Sequence, residues 1–241
     1  MEKSCQSGFI LVAALIALGI ATGGYFIGQT MYNAKVAVNT ADVKGLAERR
    51  VQADRANWQV SFSNAAAKRA DVTSLYQKSE EDQAKIIAIL KAGGFEDDEI
   101  KTGAISYSYQ EYRDDNQKLV DQKHILRGNI NIETEKVDLI TKIRSKLDKL
   151  IVDGINIQNY EPTYHFTKLN EIKPEMLKEA TMNARIAANE FAENAGVKVG
   201  SIQSARQGGF IIRDAGQEYG DTAKIEKDVR VVTTITFYLT D

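Results

Sequence analysis

The sequence predicts an α+β fold: a largely antiparallel sheet with packed helices, preceded by a single N-terminal transmembrane helix. Three observations carry this. The run Gly8 to Ile27 contains no charge. Behind it, segments with period-two alternation come in neighbouring pairs, as hairpins do. Between these lie segments with apolar residues every three or four positions. The order is strands, helix, strands, helix, strand, helix, strands. Such uneven alternation fits antiparallel sheet with helices laid on it, not a doubly wound parallel sheet.

The uncharged run is read as residues 8–28, after a short tail, 1–7. About twenty helical residues at about 1.5 Å each reach the thickness of a bilayer core. Tyr25 suits the membrane interface. A cleaved signal peptide wants a more basic start than Lys3 and a better site than Gly19-Ile20-Ala21. A lipoprotein wants its cysteine after the apolar run, and Cys5 precedes it. The expectation is an uncleaved signal anchor that contacts membrane lipid through residues 8–28. Lys3 and the α-amine would keep the tail cytosolic, with Cys5 near that face. The C-terminal domain would then lie in the periplasm, held to a bacterial inner membrane. Residues 29–41 read as a juxtamembrane linker and 42–241 as the folded domain.

That domain opens with "VKGLAERRVQAD". Gly45 eases a strand, Glu48, Arg49 and Arg50 form a charged turn, and Asp54 opens the next strand. In "ANWQVSFSN", Ala56, Trp58, Val60 and Phe62 alternate with polar residues, giving a strand with one wet face. A helix follows: Val72, Leu75, Tyr76, Ser79, Gln83, Ile86, Ile87 and Leu90 make its stripe. Glu80, Glu81, Asp82 and Lys85 take the opposite side, and Gly93-Gly94 ends it. Strands over 102–112 and 119–134 are close enough to form hairpins. The first alternates Ile105, Tyr107 and Tyr109 with serines. The second sets Leu126, Gly128, Ile130 and Ile132 on one face. A helix carries Val137, Ile140, Ile143, Leu147 and Leu150. Another begins near Pro174, in its first turn, and runs through Leu177, Ala180, Ala184, Ala188, Phe191 and Ala195. The last strand puts Val229, Val231, Thr233, Ile235, Phe237 and Leu239 on one face. Three stretches share one plan of helix end, glycine, short link and strand: "LKAGGFEDDEIKTGAISYSYQ", "LDKLIVDGINIQNYEPTYHF" and "AENAGVKVGSIQSARQG". Duplication of a unit and reuse of a common join both account for them.

The chemistry the residues exclude is wide. Lysine and arginine number 31 against 33 acids, so no nucleic-acid partner is expected. One cysteine and two distant histidines do not supply a zinc set. No serine stands in a G-x-S-x-G elbow. His124 opens a strand and His165 falls in one, and each reads as a surface or rim residue rather than a general base. "GFEDDEI" lacks the rhythm of a calcium loop and reads as a solvated turn. "RQGGFIIRDAGQEYG" lacks the lysine and helix start of a phosphate loop and reads as a mobile hairpin or loop. Tyr107, Tyr109 and Tyr112 with Arg113 could stack on a ligand, and cross-strand packing is the favoured reading. No catalytic residue, cofactor or metal is expected. The residues expected at a subunit or partner contact are Arg49, Arg50, Gly208 and Gly209.

The order of elements resembles the SIMPL-domain family, which includes periplasmic immunogenic proteins and membrane-anchored bacterial proteins of unassigned activity. The resemblance starts at Val43, Gly45, Ala47, Ala53 and Asp54, with Ala53 where many members have proline. It continues through the helix, glycine turn and acidic link that holds Ile100 and Thr102. "VDGINIQNYEPTYHF" and the alanine-spaced helix before "GVKVGSIQSA" complete it. The resemblance implies an exported α+β domain, a tendency to self-assemble and a loose link to envelope or oxidative stress. It implies no catalytic residues. The expectation is a non-enzymatic, homo-oligomeric envelope scaffold. The alternative is a membrane-tethered binding module for a small ligand or client protein.

Overall fold

The computed structural model describes residues 2–35 and 39–240, with side chains over 12–34 and 39–240. The side chains of Lys3 and Cys5 and linker residues 36–38 lie outside the described residues. Helix α1 (Glu2–Lys35) holds one segment, Val12–Ala34, long and apolar enough to cross a membrane, a test that a signal sequence also meets. Residues 29–35, within the stretch expected as a juxtamembrane linker, continue this helix. No proline or glycine follows Gly28 to stop it, and each further residue adds a hydrogen bond at little cost. Thr30 also donates to the Phe26 carbonyl at 2.7 Å.

Strands β1 (Thr40–Gln52) and β2 (Arg55–Ala66) are joined at Ala53-Asp54. The expected turn at Glu48–Arg50 is therefore strand. Period two persists through the charges, with Ala41, Gly45 and Ala47 buried. The turn falls at Ala53-Asp54, three residues after Arg50, where Ala53 N–H donates to the Ile225 carbonyl at 2.7 Å. After β2 come α2 (Val72–Ala92), β3 (Ile100–Thr102), β4 (Ser106–Arg113), β5 (Leu119–Thr134) and α3 (Val137–Leu147). Then follow β6 (Ile157–Asn159), β7 (Thr163–His165), α4 (Leu169–Ala195), β8 (Lys198–Gln207), β9 (Ile211–Asp214) and β10 (Glu226–Thr240). One sheet runs β1-β10-β8, with β9 also on β10. The other runs β3-β5-β2-β6, with β4 on β5 and β7 on β2. The registered pairs are antiparallel, as expected.

The chain divides into two compact units: Met1–Ala47 with Glu175–Gly209 and Val231–Asp241, and Glu48–Pro174 with Phe210–Arg230. In the second, α2 and α3 cover β2 and β5. Trp58, Val60, Phe62, Ile86, Leu90, Ile130, Ile132, Ile140 and Leu147 fill that core. In the first, the α4 stripe Met176, Ala180, Ala184, Ala188 and Ala192 is buried at strict four-residue spacing, and Ala184 and Ala188 meet Ile235 and Phe237. Phe191, expected in this stripe, is 58% exposed, as is the face it stands on. Gly45 lets α4 come close: a Cβ there would lie 1.8 Å from the Ala180 carbonyl oxygen. Helix α4 also starts earlier than expected and contains Pro174. The Asp54 carboxylate fixes its approach by accepting from Thr167 N–H at 2.6 Å and Thr167 Oγ1 at 2.5 Å. Pro174 then forfeits one early helical bond without ending the helix.

The three glycine joins share one geometry. Gly94, Gly154 and Gly196 have φ of 108°, 81° and 71°. After each, the next residue reaches back five positions: Phe95 N–H to Leu90, Ile155 to Leu150 and Val197 to Ala192, at 3.2, 3.0 and 2.9 Å. This is the Schellman closure, which needs a left-handed residue and hence favours glycine.

Two of the strands that follow share a second feature. Thr102 pairs with Ile130 and Ser106 with Arg127, so four steps on one strand face three on its partner. Gln207 pairs with Thr233 and Ile211 with Arg230, with the same mismatch. Each break is a one-residue bulge at a glycine, Gly103 or Gly208. The expected continuous strand 102–112 is thus two strands. The stretch 206–220, expected as a mobile hairpin or loop, includes β9, a strand paired with β10.

Candidate functional site

The four residues expected at a contact fall into two settings. Arg49 is half-buried and Arg50 exposed, both on β1 in the second unit. Arg50 donates to Asp228 through Nε at 2.8 Å and Nη2 at 3.2 Å. Asp228 also accepts from Gly216 N–H at 2.9 Å. The bond to Asp228 raises the guanidinium pKa, and the bonds from Arg50 and Gly216 lower that of the carboxyl. Gly208 and Gly209 belong to the first unit. Gly208 N–H donates to the Val232 carbonyl at 2.8 Å, and a Cβ there would lie 2.7 Å from that oxygen. It is glycine because the backbones approach closely at the bulge. A Cβ on Gly209 would meet nothing within 4 Å.

The tyrosine group lies on the β4–β5 hairpin. Every residue of β4 is exposed, so the half-buried strand expected there is wet on both faces. Tyr109 and Tyr107 stack on His124, with ring centroids 4.9 and 6.0 Å away. Tyr107 Oη and His124 Nδ1 share a hydrogen bond of 2.7 Å. Tyr109 Oη donates to Glu111 at 2.9 Å and Gln122 at 3.0 Å. The bond to Glu111 raises the Tyr109 pKa, while Arg113 and Tyr109 lower that of Glu111. On the other face, Lys123 Nζ lies 5.3 Å from the Tyr112 ring centre. His124 is therefore not the rim residue expected. It is 4% exposed, mid-strand, and its Nε2 has no hydrogen-bond partner among the described residues. The cause is parity: it shares a face with Leu126, Ile130 and Ile132. His165 ends β7 half-buried, with Nε2 3.3 Å from Thr163 Oγ1.

The acidic turn is solvated, as expected, but Glu99 is built in. It accepts from Thr134 Oγ1 at 2.5 Å and Lys136 Nζ at 3.1 Å. Burial pushes its carboxyl up, and the bonds from Thr134, the turn backbone and Lys136 outweigh that, so the net shift is downward. An open cleft of about 480 Å³ lies here, lined by Arg55, Glu96, Asp98, Glu99, Glu133, Thr134, Glu135 and Lys136. A lining without an apolar side chain is unlike the mostly apolar pockets that hold small ligands.

Two buried polar groups escaped the sequence reading. Lys227 and Asp214, 0% and 1% exposed by side chain, face each other across β9 and β10 at 2.5 Å. Asp214 also accepts from Ala223 and Lys224 N–H, and Lys227 donates to the Asp221 carbonyl at 2.7 Å. Burial raises the Asp214 pKa, and the bonds from Lys227, Lys224 and Ala223 bring it net below its ordinary value. Asp82, expected on the wet face of α2, is 1% exposed. It accepts from Asn64 Nδ2 at 2.9 Å and Lys78 Nζ at 2.7 Å. The signal for both was position: Lys227 keeps the parity of Val229 and Val231, and Asp82 falls in the stripe of Leu75, Ser79, Ile86 and Leu90.

Residues 41–237 match the family model SIMPL, described as a protein of unknown function (DUF541). No curated protein matches the chain.

Proposed function

Because the chain belongs to the SIMPL family, whose description assigns no activity, we propose that it is a non-enzymatic, membrane-anchored protein whose folded part self-assembles into a homo-oligomeric scaffold of the cell envelope. In this reading α1 is retained as a single span in a bacterial inner membrane, and the folded part lies in the periplasm. A link to envelope or oxidative stress belongs to the same reading. No cofactor, metal or nucleic acid takes part. The observation that supports it best is β4, a strand exposed at all eight residues and paired, among the described residues, with β5 alone. An open edge presents unpaired donors and acceptors that another strand can satisfy. A shared membrane would concentrate and co-orient the copies. The alternative, a binding module, draws less support, since the cleft beside Glu99 is open and charged.

Light scattering of the full-length protein in mild detergent tests the proposal. A defined multimer is expected, and monomer at all concentrations would end it. Intact mass of membrane-extracted protein tests retention of α1, with loss of the first 21 residues as the contrary result.

A further inference from the structure

Several strands end a sheet, and they differ in how far they are closed to further pairing. β3, β6 and β7 are three residues each. β8 has ten residues but slips register twice, between Thr236/Phe237 and Phe237/Leu239 of its partner, and carries Lys198 and Arg206. β1 carries Lys44, Glu48, Arg49 and Arg50. Shortness, bulges and basic side chains are the devices that keep edges from pairing. β4 has none of them from Ser106 to Tyr112. It contains no proline and no lysine, and its register with β5 is regular until the shift at Tyr112/Arg113.

The charge on β4 decides what it fits. Within Ser106–Arg113 there is one acid, Glu111, and one base, Arg113, and they pair with each other at 2.6 Å. An edge with no net charge does not select a strongly acidic or basic segment. It is complementary to itself. In an antiparallel pair related by a two-fold axis normal to the sheet, one residue lies opposite its own copy. If that residue is Tyr109, Glu111 of each copy faces Tyr107 of the other, and Ser106 faces Tyr112. The two Glu111 side chains are then four residues apart along the ladder, beyond the reach of directly opposed or diagonal pairs. Placing Glu111 on the axis opposes like charges, and placing Gln110 there makes them diagonal neighbours.

From this we infer that the open edge of β4 pairs with β4 of a second copy, antiparallel, with Tyr109 at the two-fold axis. This extends sheet β3-β5-β2-β6 across two subunits. Main-chain hydrogen bonds supply the adhesion, as in strand addition generally. The tyrosine rows, stacked on His124 in each copy, set the register.

The inference rests on the scaffold reading, and its test separates the two. Full-length protein in mild detergent is compared with Tyr109→Lys, Tyr109→Glu and their equimolar mixture. Each variant alone should dissociate at protein concentrations at least tenfold above the parent, because like charges meet at the axis. The mixture should reassemble. In the Cys5→Ser background, Tyr109→Cys should form a disulfide-linked dimer under mild oxidation, and Ser204→Cys on β8 should not. A parent that is monomeric overturns both readings. A multimeric parent whose Tyr109→Lys form stays assembled, with no dimer from Tyr109→Cys, leaves the scaffold and overturns this interface. Disulfides to other proteins in place of the dimer also overturn it. Because the cysteine variant adds no charge, it decides the matter even where lysine unfolds the hairpin.

Discussion

The two units cover sheet with helix in opposite ways. In one, α2 and α3 lie on β2 and β5 through large side chains, with Trp58, Phe62, Ile130 and Ile140 at 2% exposure or less. In the other, α4 meets β1 and β10 through alanines spaced by four, and Gly45 lets its backbone nearly touch the strand. The first core is held by volume and the second by proximity. The difference predicts what each tolerates: the first fails when atoms are removed, and the second when atoms are added.

The largest effect is expected from removal in the large-residue core. Trp58→Ala empties a fully buried site and removes the bond at 2.9 Å from Trp58 Nε1 to Asn159 Oδ1, which keeps only the longer one from Arg144 Nε at 3.4 Å. A loss of about 3–5 kcal/mol is expected, the usual range for truncating a buried aromatic. Denaturant unfolding of the full-length protein in detergent checks it. A loss below 1 kcal/mol would mean that this core is looser than its burial implies.

Addition in the close-packed unit comes next. Gly45→Ala places a methyl 1.8 Å from the Ala180 carbonyl oxygen and 2.5 Å from the Ala184 nitrogen. Both are backbone atoms of a helix and cannot rotate away. Overpacking of this kind costs about 1–3 kcal/mol, read by the same unfolding curve. A neutral outcome would require α4 to slide on its sheet, and proximity would then not be what holds this unit.

Acid separates the units by a different route. Asp54, Glu99 and Asp214 all lie in the unit with the large core, and each carboxyl is held net low. In each, burial pushes the pKa up, but hydrogen bonds to the ionised form prevail: from Thr167 on Asp54, from Thr134 and Lys136 on Glu99, and from Lys227 with two backbone amides on Asp214. A carboxyl whose folded pKa is depressed contributes stability that is fully present above its unfolded pKa, about 4. That stability is lost as pH falls through the lower folded value. Hydrogen exchange compared at pH 7 and pH 3 should show lost protection at Ala53, Glu133 and Asp214–Lys227. Unchanged protection there would mean that these bonds survive protonation.

The long strands β2, β5 and β10 were legible from alternation alone. β2 and β10 need little tertiary information, because their apolar residues fall mainly on one parity, with Ala65 in β2 and Val232 and Tyr238 in β10 as the exceptions. What was not legible follows from the limits of that signal. On β4, tyrosine and serine alternate as a half-buried strand would, yet every residue stays exposed, with His124 stacked beside Tyr107 and Tyr109. Side-chain type misled in the reverse sense at Asp82 and His124, expected on a wet face and at the surface or rim, and Lys227 was not singled out. All three are buried. Inward polar residues with partners close in space and far in sequence, such as Asn64 for Asp82, cannot be paired from one chain's pattern. The bulges at Gly103 and Gly208 were hidden for a similar reason, since register is a property of two strands. Of the residues expected at a contact, Arg50 and Gly208 have internal structural roles. The open edge of β4 lay in the tyrosine segment that the sequence favours as packing.

The smallest effect sharpens the comparison because it also adds a methyl, this time in the large-residue unit. Gly93 closes α2 in the right-handed helical region, at φ −79° and ψ −14°, which alanine adopts freely. A Cβ there would lie 2.2 Å from Ile143 Cδ1 and 2.7 Å from Cγ1. Both atoms belong to one side chain and not to backbone, so a rotamer change can relieve the contact at about 0.5–1.5 kcal/mol. Against that, replacing glycine by alanine in a helical conformation stabilises by about 0.4–1 kcal/mol through the unfolded chain. Gly93→Ala should therefore leave unfolding within about 1 kcal/mol of the parent, far from the cost at Gly45. If the two glycines prove equally intolerant, the side chains of α3 are as fixed as the backbone of α4, and the contrast between volume and proximity dissolves.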